Sequence, residues 1–165
     1  MKRTFLLILA MVTVFSFTAC KKTNEKSVNL EGSLEEIMDK IYETADLDND
    51  FREYVNNDGL ERKEVNTENA EYYLGKSDIE FEEAIADEPM IQPGAFSLVL
   101  VRAKEGADIE KIKTDIKDNV NPMKWVCVGV SEENVIVDSI GDIIFLVMSD
   151  NQAQALHNAF LALEK

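Results

Sequence analysis

Asp142-Ile143-Ile144-Phe145-Leu146-Val147-Met148-Ser149 sets six apolar residues in a row between polar ends. The run is short for a buried helix, and its β-branched and aromatic members favour a central strand covered on both faces. Phe96-Ser97-Leu98-Val99-Leu100-Val101-Arg102 has the same character and is expected as a second interior strand. Outward from these, residues 124–130 and 134–138 read as two more strands. Ser131-Glu132-Glu133 and Ser139-Ile140-Gly141 are links short enough for antiparallel hairpins. Between the strands at 96–102 and 124–130, Ile109, Ile112, Ile116 and Val120 recur at helical spacing, and Asn121-Pro122 ends that helix. Ser149 and Gln152 have the spacing of a capping box that opens a last helix to about Leu163, with Ala153, Leu156, Phe160 and Leu163 inward.

The front half begins its folded part at Ser33, which with Glu36 forms a first capping box. Leu34, Ile37, Met38, Ile41, Tyr42 and Ala45 follow on one helical face. Phe51, Tyr54 and Val55 fit a short helical turn, broken at Asn56-Asn57-Asp58-Gly59. Thr67 is placed to cap a short helix through Tyr73, with Gly75 just past its end. Residues 79–86 suit a strand with Ile79 and Phe81 on one side, although their acids also permit a helix. The expected fold is α+β: a mostly antiparallel sheet of four to five strands, with helices at the N-terminus, between strands and at the C-terminus. Residues 33–165 show no repeat and no internal domain boundary.

Lys2 and Arg3 precede 16 uncharged residues, 4–19, which end in Phe17-Thr18-Ala19 before Cys20. A membrane span needs about 20 apolar residues, and Thr4, Thr13, Ser16 and Thr18 dilute this shorter run. A basic start, a short apolar stretch and small residues at a cut are the pattern of a processed signal. The segment resembles the signal peptide and lipobox of bacterial lipoproteins, with Phe17 standing where leucine is usual. That resemblance implies cleavage before Cys20, a diacylglyceryl group on its thiol and often a further acyl chain on its amine. An uncleaved short anchor and ordinary secretion are the alternatives. The resulting organisation is a signal peptide over 1–19, a flexible tether over 20–32 and one domain over 33–165. A tether of that length reaches roughly 20 Å. Lys21, Lys22 and Lys26 are placed either to meet anionic lipid headgroups or simply to follow the cut.

The 165-residue chain carries 17 basic and 32 acidic side chains, and loss of Lys2 and Arg3 takes its charge from −15 to −17. Such acidity argues against a nucleic-acid partner, which needs clustered Lys and Arg. The acids lie mainly before residue 96, where they suit either a solvated face or a cation-facing one. Removing 19 residues leaves 146, enough for one core and too few for a two-lobed solute-binding protein.

Catalytic patterns are sparse. With Cys20 lipidated, Cys127 has no disulfide partner, and its place in Trp125-Val126-Cys127-Val128 reads as a small buried hydrophobe. His157 is the sole histidine, at the edge of the last helix's apolar stripe. A dyad with Cys127 is formally possible, but a mid-strand thiol lacks the helix start that stabilises a thiolate. No glycine-rich phosphate loop and no Gly-x-Ser-x-Gly elbow occurs. Asp46, Asp48 and Asp50 match the first ligands of a calcium loop and are weak metal candidates. The required glycine is replaced by Phe51 and the bidentate glutamate by Asn57, so an acidic turn ending the helix is the better reading.

Glu88-Pro89-Met90, residues 96–102, Lys124-Trp125-Val126-Cys127-Val128 and residues 141–148 resemble a small lipoprotein domain of unknown function from anaerobic Gram-positive bacteria. The resemblance implies placement at the cell membrane, on its extracytoplasmic face, and an α+β fold. It carries no activity, cofactor or catalytic residue to transfer. The leading expectation is a non-enzymatic, lipid-anchored module that binds a protein or envelope component. The alternative is a lipoprotein that binds a small ligand or cation through the acidic N-terminal half. Oligomeric state is not assigned by any of these features.

Overall fold

A computed structural model describes residues 29–91 and 94–164; Cys20, the signal segment and most of the tether lie outside them. Leu30 already packs against the core and the Gly32 carbonyl accepts from Arg102, so ordered contact begins within the expected tether. Ser33 then opens α1 (Leu34–Thr44) with both bonds of the capping box, and Leu34, Ile37, Met38, Ile41 and Tyr42 turn inward. Asp48 caps α2 (Asn49–Asn56), its carboxylate accepting from the Phe51 amide at 2.8 Å. The chain continues through β1 (Leu60–Glu64), α3 (Ala70–Leu74), β2 (Phe81–Pro89), β3 (Ser97–Ala103) and α4 (Ile109–Asn119). It closes with β4 (Val135–Ile140), β5 (Ile143–Met148) and α5 (Ala153–Leu161).

The five strands form one antiparallel sheet in the order β1-β2-β3-β5-β4. Every residue of β5 is buried, as its uninterrupted apolar run predicts for a strand between β3 and β4. Alternation along the strands divides that burial between two cores. Leu98, Leu100, Phe145 and Val147 face α1 and α5. Val99, Val101, Ile144 and Leu146 face α3, α4 and the loop after α4. The fold is α+β with helices on both sides of the sheet.

The expected strand over 124–130 is absent: these residues form an irregular loop over the second core. Trp125 and Val130 point inward, whereas Cys127 has φ of 63°, which breaks an extended run, and the Val130 amide donates to the Pro122 carbonyl at 2.9 Å. Cys127 is accordingly exposed, not buried. The fifth strand is instead β1, whose four charged residues conceal it from a reading of apolar pattern and suit an edge.

Three local expectations also change. Thr67 does not cap α3; Asn69 precedes that helix and makes no side-chain cap bond. Gly75 does end it, with φ of 81°, and a side chain there would strike the peptide joining Asn119 and Val120. The β4–β5 hairpin turns on Gly141 and Asp142 alone, since Ile140 pairs with Ile143. At α5, the Ser149 hydroxyl accepts from the Gln152 amide, but the Gln152 side chain reaches Asp48 and leaves the capping box half made.

Candidate functional site

A concavity lies between α1, α2 and the β1–β2 edge of the sheet, with a volume of about 510 Å3, within the range of small-ligand sites. Its floor is built from cross-strand geometry. Arg62 of β1 stands directly opposite Asp87 of β2, which places both side chains on the α1 side. The guanidinium grips Asp87 in a fork, Nε to Oδ1 and Nη2 to Oδ2 both at 2.8 Å, while Nη1 reaches Asp39 at 2.9 Å. Asp87 is 5% exposed and Arg62 30%. The hydrogen bonds that Arg62 donates to Asp87 lead in raising its pKa, so the guanidinium stays charged.

Tyr42 enters the same floor from α1. It is 7% exposed, and its hydroxyl makes no hydrogen bond of acceptable geometry. Both oxygens of nearby Asp87 are already held by Arg62. Burial first, and the Asp87 charge second, push the Tyr42 pKa well above that of a free phenol, so it lines the cleft as a neutral hydroxyl. A buried polar atom without a partner is uncommon in a folded protein and costs about 1–3 kcal/mol.

The walls combine apolar and charged groups. Leu47, Val55 and Leu60 supply the apolar surface; Asp39, Glu43, Arg52, Asn56 and Asp58 supply the polar one. Arg52 is committed to the Ala45 carbonyl, to which its Nη2 donates at 2.7 Å. The lining contains no serine, threonine, cysteine or histidine. It offers charge and hydrogen bonds around an apolar wall.

The residues singled out from sequence fall elsewhere. Asp48 is engaged as the cap of α2 and by the Gln152 amide group, and Asp50 sits in the first turn of that helix. Among the described residues no group of three or more His, Cys, Asp or Glu converges as metal ligands, Asp46, Asp48 and Asp50 included. The motif starts α2; it does not merely end α1. His157 bonds through Nε2 to Asp138 Oδ2 at 2.8 Å, and Lys113 approaches the other oxygen at 3.4 Å. Cys127 lies on the opposite side of the sheet from His157, so the two form no dyad.

A second charged assembly, unmarked by any sequence motif, occupies the other face. Lys124 meets Glu88 at 2.6 Å with 4% of its side chain exposed, and the Tyr72 hydroxyl donates to the same carboxylate at 3.0 Å. The rings of Tyr72, Tyr73 and Trp125 lie 4.3, 5.0 and 5.2 Å from the ammonium. Burial lowers the Lys124 pKa, against the opposing pull of Glu88.

Sequence reading missed Tyr42, Arg62 and Asp87 as site residues. Tyr42 was indistinguishable from its apolar neighbours on α1. The available signal was Asp87-Glu88 directly after Ala84-Ile85-Ala86, because acids that continue a buried strand require partners. No family model, curated protein or solved structure matches this chain, and its site is therefore read from its own geometry.

Proposed function

We propose that this protein is a lipid-anchored extracytoplasmic binding module that takes a small polar ligand in the cleft between α1, α2 and β1. The observation carrying the cleft is Tyr42, which lines a cavity otherwise rich in charge and whose hydroxyl is buried and unpartnered. The anchor rests on the lipobox-like Phe17-Thr18-Ala19-Cys20. A thiol-linked diacylglyceryl group brings two chains, where a single acyl chain holds a protein only marginally. Asn29 shares a surface hollow with Gly106 and Gly141, at the end of the sheet away from Asp58 and Leu60.

Two experiments test the reading. Cys20→Ala should move the protein out of the membrane fraction of cells; continued attachment would sink the lipid anchor. The detergent-extracted full chain should show a higher melting temperature with at least one class among amino acids, amines, carboxylic acids and sugars. Ligand at a hundred times its Kd stabilises by about 2.7 kcal/mol, a shift of several degrees. Val55→Trp, which fills the cleft wall, should abolish that shift, as should Tyr42→Phe for a ligand held by the hydroxyl. A shift that survives both substitutions would remove the ligand from this cleft.

A further inference from the structure

We infer that the ligand of this cleft is an organic cation, a primary amine carried on a short apolar body. The inference rests on the cleft being the binding site and specifies what it takes. Charge balance decides the sign. Arg62 is paired with Asp87 and Asp39, and an incoming carboxylate or phosphate would have to displace those bonds. Arg52 donates from Nη2 to the Ala45 carbonyl and has no carboxylate partner among the described residues, so it offsets part of the negative charge without reversing it. Glu43 and Asp58 on the rim are exposed and, among the described residues, have neither an ion pair nor a side-chain hydrogen bond. The cleft thus holds four carboxylates against two guanidiniums, inside a chain of net charge −15. Both its excess of carboxylates and its surroundings attract a cation.

The second observation fixes the chemistry of that cation. The Tyr42 hydroxyl is neutral and its oxygen has no donor, so it can accept an N–H from a bound ammonium. A quaternary ammonium has no N–H to give and is the poorer fit. A bare divalent metal is disfavoured by geometry, since among the described residues no three acidic, histidine or cysteine side chains converge as ligands. Leu47, Val55 and Leu60 provide the surface for methylene groups behind the ammonium.

An isosteric trio separates this inference from the site itself. The full-length protein in detergent micelles, labelled with 15N, would be titrated with n-butylammonium, butyrate and n-butanol at low ionic strength. Butylammonium should shift the amides of Tyr42, Glu43, Val55 and Asp58 and bind at least tenfold more tightly than either isostere. The advantage should shrink as salt is added, and Glu43→Gln with Asp58→Asn should reduce it several-fold. Tyr42→Phe should weaken butylammonium more than butanol. If butyrate or butanol shifts the same amides and butylammonium does not, the cleft stands and the cation falls. If none of the three perturbs these amides, cleft and cation fall together. Shifts that persist unchanged in the double variant would overturn the role of Glu43 and Asp58.

Discussion

Asp87 and Glu88 are neighbours in β2, and the strand's alternation sends them to opposite faces of the sheet with opposite fates. Asp87 meets Arg62 at the floor of an open cleft, beside an unpartnered tyrosine hydroxyl. Glu88 meets Lys124 beneath three aromatic rings, with 12% of its own side chain and 4% of the lysine's exposed. One ion pair stays within reach of solvent, its arginine 30% exposed. The other is closed, and the irregular loop carrying Lys124 is the lid that closes it. A buried ion pair contributes little net stability when intact, yet is strongly destabilising when one partner is removed. The closed pair therefore holds the loop in place, whereas the open pair shapes a surface that a ligand can meet.

The largest expected effect breaks the closed side. Lys124→Met leaves Glu88 buried without its cation and should destabilise by about 3–5 kcal/mol, read as a drop in the urea midpoint. Adding Glu88→Leu removes the orphaned charge and should recover much of the loss. A double variant no more stable than the single one would show that the aromatic packing around the ammonium, not the ion pair, secures the loop.

Arg62→Met breaks the open side and sharpens the contrast. Asp87 is more deeply placed than Glu88, but Arg62 is far more exposed than Lys124, and cleft water can reach the position vacated by the guanidinium. The expected cost is about 2 kcal/mol, the desolvation penalty of a partly solvated polar group. Equal losses for Arg62→Met and Lys124→Met, measured by urea unfolding under the same conditions, would erase the distinction between the two faces.

A third charged contact lies at the far edge of the sheet, where β4 presents Asp138 to His157 and Lys113. Partial burial would raise the Asp138 pKa, but the His157 hydrogen bond, the Ser139 amide and Lys113 outweigh it and hold the carboxyl below its usual value. The unfolded chain therefore takes up this proton at higher pH than the folded one. The contact's contribution is complete above the ordinary aspartate range and is lost as pH falls through the depressed folded value. Asp138→Asn should lower stability at neutral pH by up to about 1 kcal/mol and flatten the acid limb of a stability–pH curve. An unchanged limb would remove Asp138 as its source.

The two faces also differ in how much of them the sequence discloses. Apolar pattern identifies α1, β3, α4, β5 and α5, because each turns a periodic stripe or an unbroken run toward a core. It fails where charge performs the structural work. β1 is nearly all charged because Arg62 and its neighbours line an edge and a cleft. Trp125 to Val130 imitates a strand by alternation, although Lys124 is drawn to Glu88 and Cys127 takes a positive φ. The cleft was legible only as an excess of acids before residue 96. Its decisive groups come from α1, β1 and β2, and pairings between distant segments leave no local signature.

The smallest expected effect on stability is also the one that bears most directly on function. Tyr42→Phe removes a hydroxyl that makes no hydrogen bond of good geometry in the unliganded protein and keeps the ring packed against the first core. Deleting a buried, unpartnered polar atom should leave stability within about 1 kcal/mol, with any change toward greater stability. A structural tyrosine bonded to Asp87 would behave oppositely, because its loss would strip that carboxylate of a donor. Urea unfolding of Tyr42→Phe beside Arg62→Met therefore separates the groups of the open face. A neutral tyrosine variant and a destabilised arginine variant place folding strength in the Arg62–Asp87 fork and leave the hydroxyl for the ligand. A tyrosine variant destabilised as strongly as the arginine variant would make the hydroxyl part of the scaffold and leave the cleft without its unpaired acceptor.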